Sequence, residues 1–397
     1  MNEQVAAAVL SEVAAIDVVE ICRRLVRIQS VNPPGDEEAV ARLAATLLAE
    51  AGLSVEVVEH GAGRASVLAR LKGSGQAPGL LYSAHLDTVA PGAEPWSRDP
   101  FGGELAEGRV WGRGAADMKG GMAAMIAAAM ALARATARSG ALLRGDLVLA
   151  LTAGEEVNSM GAACLAARPD LGPVQAVVVA EPSSNELYIA EKGALWVELA
   201  TAGRTAHGSM PDLGRNAVMM MVALLAEVDR LPVAFEPHPL LGGFTRSINT
   251  IAGGMKTNVV PDRCTATVDM RTVPGQDHVA ILDGIRALIS DLAGRMPGFA
   301  ASLKVTNDHP ALCTDPDDPV VRRFAGVMER VTGRRPEPQG VRYYTDAVEY
   351  VPVLGAPLII CGPGPAALAH QPDEYVEVER LEESARILAL AAVEMLA

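Results

Sequence analysis

Apolar residues recur at helical spacing over residues 4–28, which predicts a helix that stops before Asn32-Pro33-Pro34-Gly35, a run of helix breakers. A second helix is expected over 37–51. Short β-rich runs follow at 54–58, 65–71 and 79–84. Helices at 120–137 and 161–167 then interleave with strands at 146–151 and 176–180. Strand and helix in alternation predict an α/β layer with a mixed, largely parallel sheet flanked by helices. From about residue 192 the texture changes. A strand at 194–200, a helix at 215–230, strands at 247–252 and 264–270, a helix at 277–295 and a closing strand at 302–305 suggest an inserted α+β unit. The α/β pattern then resumes with a helix over 316–333, a buried strand over 357–361 and a last helix over 379–395. The expected division is therefore one α/β domain made of 1–191 and 305–397, interrupted by an insertion over 192–304.

Length agrees with two domains, since 397 residues exceed what one core usually holds. Charge narrows the partners. With 34 basic and 48 acidic residues the net charge is −14, which argues against a nucleic-acid backbone or an anionic membrane as partner. Cys22, Cys164, Cys264, Cys313 and Cys361 are scattered and odd in number, and read as reduced thiols of a cytoplasmic protein. The start Met1-Asn2-Glu3-Gln4 has no basic leader, and no apolar run is expected to reach membrane-spanning length. These features together predict a soluble, unprocessed, cytoplasmic chain.

Candidate chemistry gathers at the ends of the expected strands. Gly112-Arg113-Gly114-Ala115-Ala116-Asp117-Met118-Lys119-Gly120-Gly121 sets one carboxylate, Asp117, among four glycines at the start of a helix. His85 and Asp87 close the strand at 79–84, where ligands collect in open parallel sheets, and a His-x-Asp pair can orient a ligating imidazole. Glu155 and Glu156 follow a second strand; as neighbours on an extended chain they would face opposite ways, one to a metal and one to an attacking water. Glu181 ends a third strand and His370 follows the Gly362-Pro363-Gly364 turn. His85, Asp117, Glu156, Glu181 and His370 make a set of nitrogen and oxygen ligands without thiolate, which suits zinc, cobalt or manganese. Five ligands are too many for one tetrahedral ion. A pair of ions sharing one carboxylate, roughly 3.5–4 Å apart as in two-metal hydrolases, fits better.

The motifs HLDT, GRGAADMKGG, AGEE, AEP and AHQPDEYV, in this order, resemble the co-catalytic di-zinc amidohydrolases that include acetylornithine deacetylase, succinyl-diaminopimelate desuccinylase, aminoacylase and glutamate carboxypeptidase. The resemblance implies His85 and Glu181 on one zinc, Glu156 and His370 on the other, Asp117 bridging, Asp87 orienting His85, and Glu155 as general base. It implies a cis peptide between Asp117 and Met118. It gives the insertion the role of a lid that forms a homodimer, and makes His207 in Gly203-Arg204-Thr205-Ala206-His207-Gly208-Ser209 an oxyanion donor. Asn258 and Arg271 match positions that bind a substrate carboxylate, and Tyr344 and Gly362 join them as expected substrate contacts. In one place the chain departs from the pattern: many relatives carry a glycine before the Thr-Asp pair of the late substrate loop, where this chain reads Arg342-Tyr343-Tyr344-Thr345-Asp346. The expected activity is hydrolysis of a linear amide, first of an N-acyl amino acid. A dipeptidase or carboxypeptidase with the same centre comes second, and a non-catalytic metal-binding relative third.

Overall fold

The computed structural model describes residues 3–140, without the side chain of Ser139, and 143–397. In chain order its elements begin with α1 (Glu3–Ala14), α2 (Val18–Val26), α3 (Glu38–Glu50), β1 (Ser54–Gly61), β2 (Arg64–Leu71), β3 (Gly79–His85), β4 (Glu104–Ala106) and β5 (Arg109–Trp111). They continue with α4 (Gly120–Ser139), β6 (Leu147–Thr152), α5 (Met160–Ala166), β7 (Val174–Pro182), β8 (Tyr188–Glu191), β9 (Gly193–Ala202), α6 (Ala217–Arg230), β10 (Thr245–Gly253) and β11 (Arg263–Thr272). The last are α7 (His278–Arg295), β12 (Ala301–His309), β13 (Leu312–Cys313), α8 (Pro319–Thr332), β14 (Gln339–Val341), α9 (Ala347–Leu354), β15 (Leu358–Gly362), β16 (Tyr375–Glu377) and α10 (Val378–Leu396). They form two compact units: the described residues of Met1–Ala190 with Cys313–Gly340 and Thr345–Ala397, and Glu191–Leu312 with Val341–Tyr344.

In the first unit six strands follow the order β1-β2-β6-β3-β7-β15. β3 runs parallel to both β6 and β7, and β15 parallel to β7, while β1, β2 and β6 are antiparallel neighbours. The mixed, centrally parallel sheet flanked by helices is the α/β layer that the sequence predicts. Every residue of β3 and of β6 is buried, as expected of strands covered on both faces. The Tyr82 hydroxyl donates to the Leu388 carbonyl at 2.6 Å, fastening β3 to α10.

The long helix expected over 4–28 is two helices. Asp17 accepts the Glu20 N–H at 2.8 Å, and this side-chain cap starts α2 afresh. The expectation that no apolar stretch reaches membrane-spanning length is also corrected, because Ala115–Arg138 passes by length and composition. Burial inside the first unit explains its character: Met122, Ala123, Met125, Ile126 and Ala129 are all fully buried, so an all-round apolar surface faces protein. Packing is close because α4 begins with glycine. A Cβ at Gly121 would lie 2.0 Å from the Ala180 carbonyl oxygen of β7.

The second unit is a four-stranded antiparallel sheet in the order β10-β11-β9-β12, with β12 reaching His309 rather than stopping at 305. Leu195, Val197 and Leu199 of β9 alternate with outward residues and join Cys264, Ala266, Val268 and Met270 of β11 in a core with α6 and α7. Asn216 and Asp277 cap those helices through the Met219 and Val279 amides. β10 is an edge strand, largely exposed, and Met219, Val222, Ile251 and Met255 are exposed large apolar residues of this unit.

Candidate metal centre

Parallel pairing of β6, β3 and β7 lays their C-terminal ends side by side. His85 is the last residue of β3 and Glu181 the next-to-last of β7. Gly154, with φ +88°, turns the chain after β6, so Glu155 and Glu156 sit in a turn. This corrects the extended geometry expected for the two acids; the left-handed glycine is the physical reason. Asp117 stands in an irregular turn over Ala115–Lys119 ahead of α4, and the Asp117–Met118 peptide is cis.

Two ligand groups result, His85–Asp117–Glu181 and Asp117–Glu156–His370, each with its donor atoms within 4.8 Å of one another. Asp117 Oδ1 lies 3.0 Å from His85 Nε2, and Glu181 Oε1 is 3.7 Å from that nitrogen. The other oxygen, Asp117 Oδ2, lies 3.4 Å from His370 Nε2, which is 3.1 Å from Glu156 Oε2. Asp117 thus turns one oxygen to each group. His85 Nδ1 donates to the Asp87 carbonyl at 2.9 Å, which leaves Nε2 aimed at the carboxylates.

The electrostatics fit divalent cations. Burial pushes the carboxyls of Glu155 and Glu181 well above the usual range, with the neighbouring carboxylates adding to the rise and His85 opposing it, and raises Glu156 as well. Burial alone would lower the His85 imidazole, yet the hydrogen bond to Asp117 and the charges of Glu181 and Glu155 hold it well above its ordinary value. The hydrogen bond to Glu156 raises His370. Positive charge is thus in demand here, and a proton on His85 Nε2 occupies the direction along which a cation would bind. Glu156 Oε1 is buried without a hydrogen-bond partner, a further unused donor to a metal.

Two buried carboxylates organise the loops that carry these groups. Asp87 was expected to orient His85 through its side chain, but that contact is made by its main-chain carbonyl, and its carboxylate stands 3.7 Å from the ring. The carboxylate instead accepts the N–H groups of Gly154, Glu155 and Glu156 at 3.1, 3.2 and 3.2 Å, and the Asn32 amide at 2.8 Å. Glu374 does the same for the other loop: Oε1 accepts from Ala116 and Asp117 at 2.8 and 2.9 Å, and Oε2 from Gly114 at 3.1 Å and Arg113 at 2.5 Å. Neither Asn32 nor Glu374 stands out in the sequence as a site residue. The available signal for Glu374 is its place in AHQPDEYV, four residues after His370.

Gly362, expected as a substrate contact, is tied into the strands around it. It is buried, its N–H donates to Ser183 Oγ at 3.0 Å, its carbonyl accepts from Asn185 at 2.7 Å, and a Cβ there would lie 2.1 Å from the Ala180 oxygen. Its glycine is required by strand packing. His207, Asn258, Arg271 and Tyr344 belong to the second unit. His207 is exposed, and its Nδ1 accepts the Ser209 N–H at 3.1 Å, which leaves the proton of the neutral ring on Nε2. The carbonyl of Asn258 accepts the Gly208 N–H at 2.8 Å, next to that histidine. Arg271 is paired with Asp269 at 2.9 and 3.1 Å and lies over the rings of Trp196 and Tyr344. Tyr344 is buried and packs on His309, with ring centroids 4.9 Å apart.

The chain is similar to known proteins over nearly its whole length. The chain is 29% identical over 388 residues to a probable succinyl-diaminopimelate desuccinylase of Staphylococcus epidermidis, covering 91% of this chain and 93% of the relative. It is 30% identical to an acetylornithine deacetylase of Myxococcus xanthus, covering 97% and 96%. The crystal structure of a metallo-carboxypeptidase from Sulfolobus solfataricus has the same fold, with a TM-score of 0.78 at 17% identity over 96% of this chain and 99% of that one. Residues 81–394 match peptidase family M20/M25/M40, and the chain belongs to that family.

Proposed function

We propose that this metallohydrolase removes the acyl group from an N-acyl amino acid, with His85, Asp117 and Glu181 holding one ion and Asp117, Glu156 and His370 a second. The observation that carries the proposal is Asp117, whose two oxygens face the two ligand groups 3.0 Å and 3.4 Å away. Zinc fits this nitrogen and oxygen donor set, and so do cobalt and manganese. The ions would polarise the scissile carbonyl and lower the pKa of water.

Glu155 is assigned as general base. It takes the proton of the attacking water and returns it to the amine nitrogen as the C–N bond breaks. Burial raises its carboxyl above the ordinary carboxylate range, the direction that makes it a stronger base. Asp87 fixes the Glu155 turn through its three amide hydrogen bonds. His207, with Nε2–H outward, is the proposed oxyanion donor, supplied by this chain or by a second copy. Asn258 and Arg271 are assigned to the substrate carboxylate, with Tyr344 as an aromatic wall beside the arginine. The exposed β10 edge and the apolar residues near it support a homodimer through the second unit, taken as a lid. The free state of the cysteines supports a cytoplasmic setting.

The names of the desuccinylase and deacetylase relatives favour deacylation, and the carboxypeptidase structure keeps peptide hydrolysis as a second reading. A screen of N-acetyl and N-succinyl amino acids and dipeptides, each with added zinc, cobalt or manganese, separates them. Turnover of the acylated amino acids above the dipeptides is expected; the reverse order replaces the first reading with the second, and no turnover of either sinks both.

A further inference from the structure

Glu374 is fully buried, and so is its partner Arg113, yet neither is a metal ligand or the assigned base. Among the described residues, the hydrogen bonds that the Glu374 carboxylate accepts come from the loop that ends in Asp117. Oε1 takes the adjacent amides of Ala116 and Asp117, and Oε2 takes the Gly114 amide and the Arg113 guanidinium. The main chain adds a further tie, since the Gly112 N–H donates to the Glu374 carbonyl at 2.9 Å. A buried anion that gathers successive amides holds the backbone that bears them, because any rotation of that backbone strands a charge-assisted hydrogen bond away from water.

The other end of this clasp is equally specific. Glu374 lies four residues after His370, in a segment where His370 and Asp373 both have positive φ, 64° and 55°. The Asp373 carboxylate accepts the Ser97 N–H at 2.7 Å and pins that segment from its far side. Glu374 is therefore the covalent neighbour of one candidate ligand and the hydrogen-bonding partner of the loop that carries another. Those two ligands, His370 and Asp117, stand 3.4 Å apart. Gly364 lets the two loops meet, since a Cβ there would lie 2.3 Å from the Ala116 oxygen.

We infer that Glu374 is a positioning residue that sets the shared carboxylate Asp117 against His370 through the backbone of residues 112–117. Because it acts through the shared ligand, it supports both ion positions together. The inference rests on the reading of Asp117 as a ligand common to both groups.

Chemistry supplies a sharp variant. In Glu374→Gln one terminal atom still accepts, but the amide nitrogen then faces either the Ala116 and Asp117 amides or Gly114 and Arg113, donor against donor. Glu374→Asp keeps the charge on a shorter stem. Zinc affinity is measured by competition with a chromogenic chelator on protein whose fold is verified by circular dichroism. In E374Q, affinity at both positions is expected to fall roughly 10–100-fold, as for other groups that orient metal ligands, with E374D between E374Q and the parent. With saturating zinc, kcat should fall while KM stays near that of the parent. Folded E374Q that binds two zinc ions within about twofold of the parent affinity overturns the inference, because loss of an orienting partner would cost more than that. So does loss at one position alone. If E374Q does not fold, E374D is judged by the same criteria. A parent chain that binds no zinc would overturn the shared-ligand reading and this inference with it, whereas equal binding by parent and variant overturns this inference alone.

Discussion

The two ligand groups share Asp117 but are built differently. His85 and Glu181 project from adjacent parallel strands, with side chains 1% and 6% exposed. Glu156 sits in the turn that Gly154 starts, and His370 follows a loop, at positive φ, with a side chain 52% exposed. Strand-borne ligands are held by ladders of hydrogen bonds and by burial on both faces. Loop-borne ligands depend on local turns and keep more side-chain freedom, which binding must remove. A buried site also strengthens each charge interaction, since little water screens it. The difference lies at His370, since the Glu156 side chain is 6% exposed like that of Glu181, and from it we expect the His85 position to hold its ion longer.

The harshest test of that comparison removes what the groups share. Asp117→Ala should lose both ions and all turnover above background, read by metal analysis after gel filtration; one ion retained at full affinity would show the groups to be independent. Next in size, Glu155→Gln should lower kcat roughly 10²–10⁴-fold, the range for general acid–base groups, with metal content unchanged. Metal loss in that variant would place Glu155 among the ligands. The asymmetry itself is sharpened by His85→Ala beside His370→Ala. Chelator-driven metal release from the parent should be biphasic, the fast phase disappearing in His370→Ala and the slow phase in His85→Ala; a single phase in the parent would remove the distinction. The smallest effect is expected at Asn32, whose amide donates to Asp87 at 2.8 Å. Asn32→Ala should cost about 1.5–3 kcal/mol of stability, the worth of a hydrogen bond to a charged group, without loss of metal. Urea denaturation followed by circular dichroism checks it.

How much of this was legible in the sequence depends on the range of the interactions. Alternation and strand-end acids place His85, Glu156 and Glu181 near one end of a sheet, because a strand's period and its terminus are local properties. What the carboxylates of Asp87 and Glu374 hold was not legible. Asp87 reaches residues 67 to 69 positions away and Glu374 reaches back 257 to 260, to backbone amides that any residue type offers. Such bonds leave no periodic trace. The break between α1 and α2 was within reach, since Asp17 is a good cap residue, but the apolar spacing runs on through it. The need for glycine at 362 was likewise hidden, because the Ala180 oxygen that a Cβ there would meet at 2.1 Å lies far away in sequence.

The missing methyl group at Gly121 has a consequence for anyone who would alter this protein. α4 meets β7 so closely there that Asp117, just before the helix, and Glu181, next to Ala180, are carried by one tightly fitted joint. The spacing between Asp117 and Glu181 is thus inherited in part from a helix–strand seam. A single added carbon at position 121 would therefore shift Asp117 and Glu181 at once, two of the five members of the metal set.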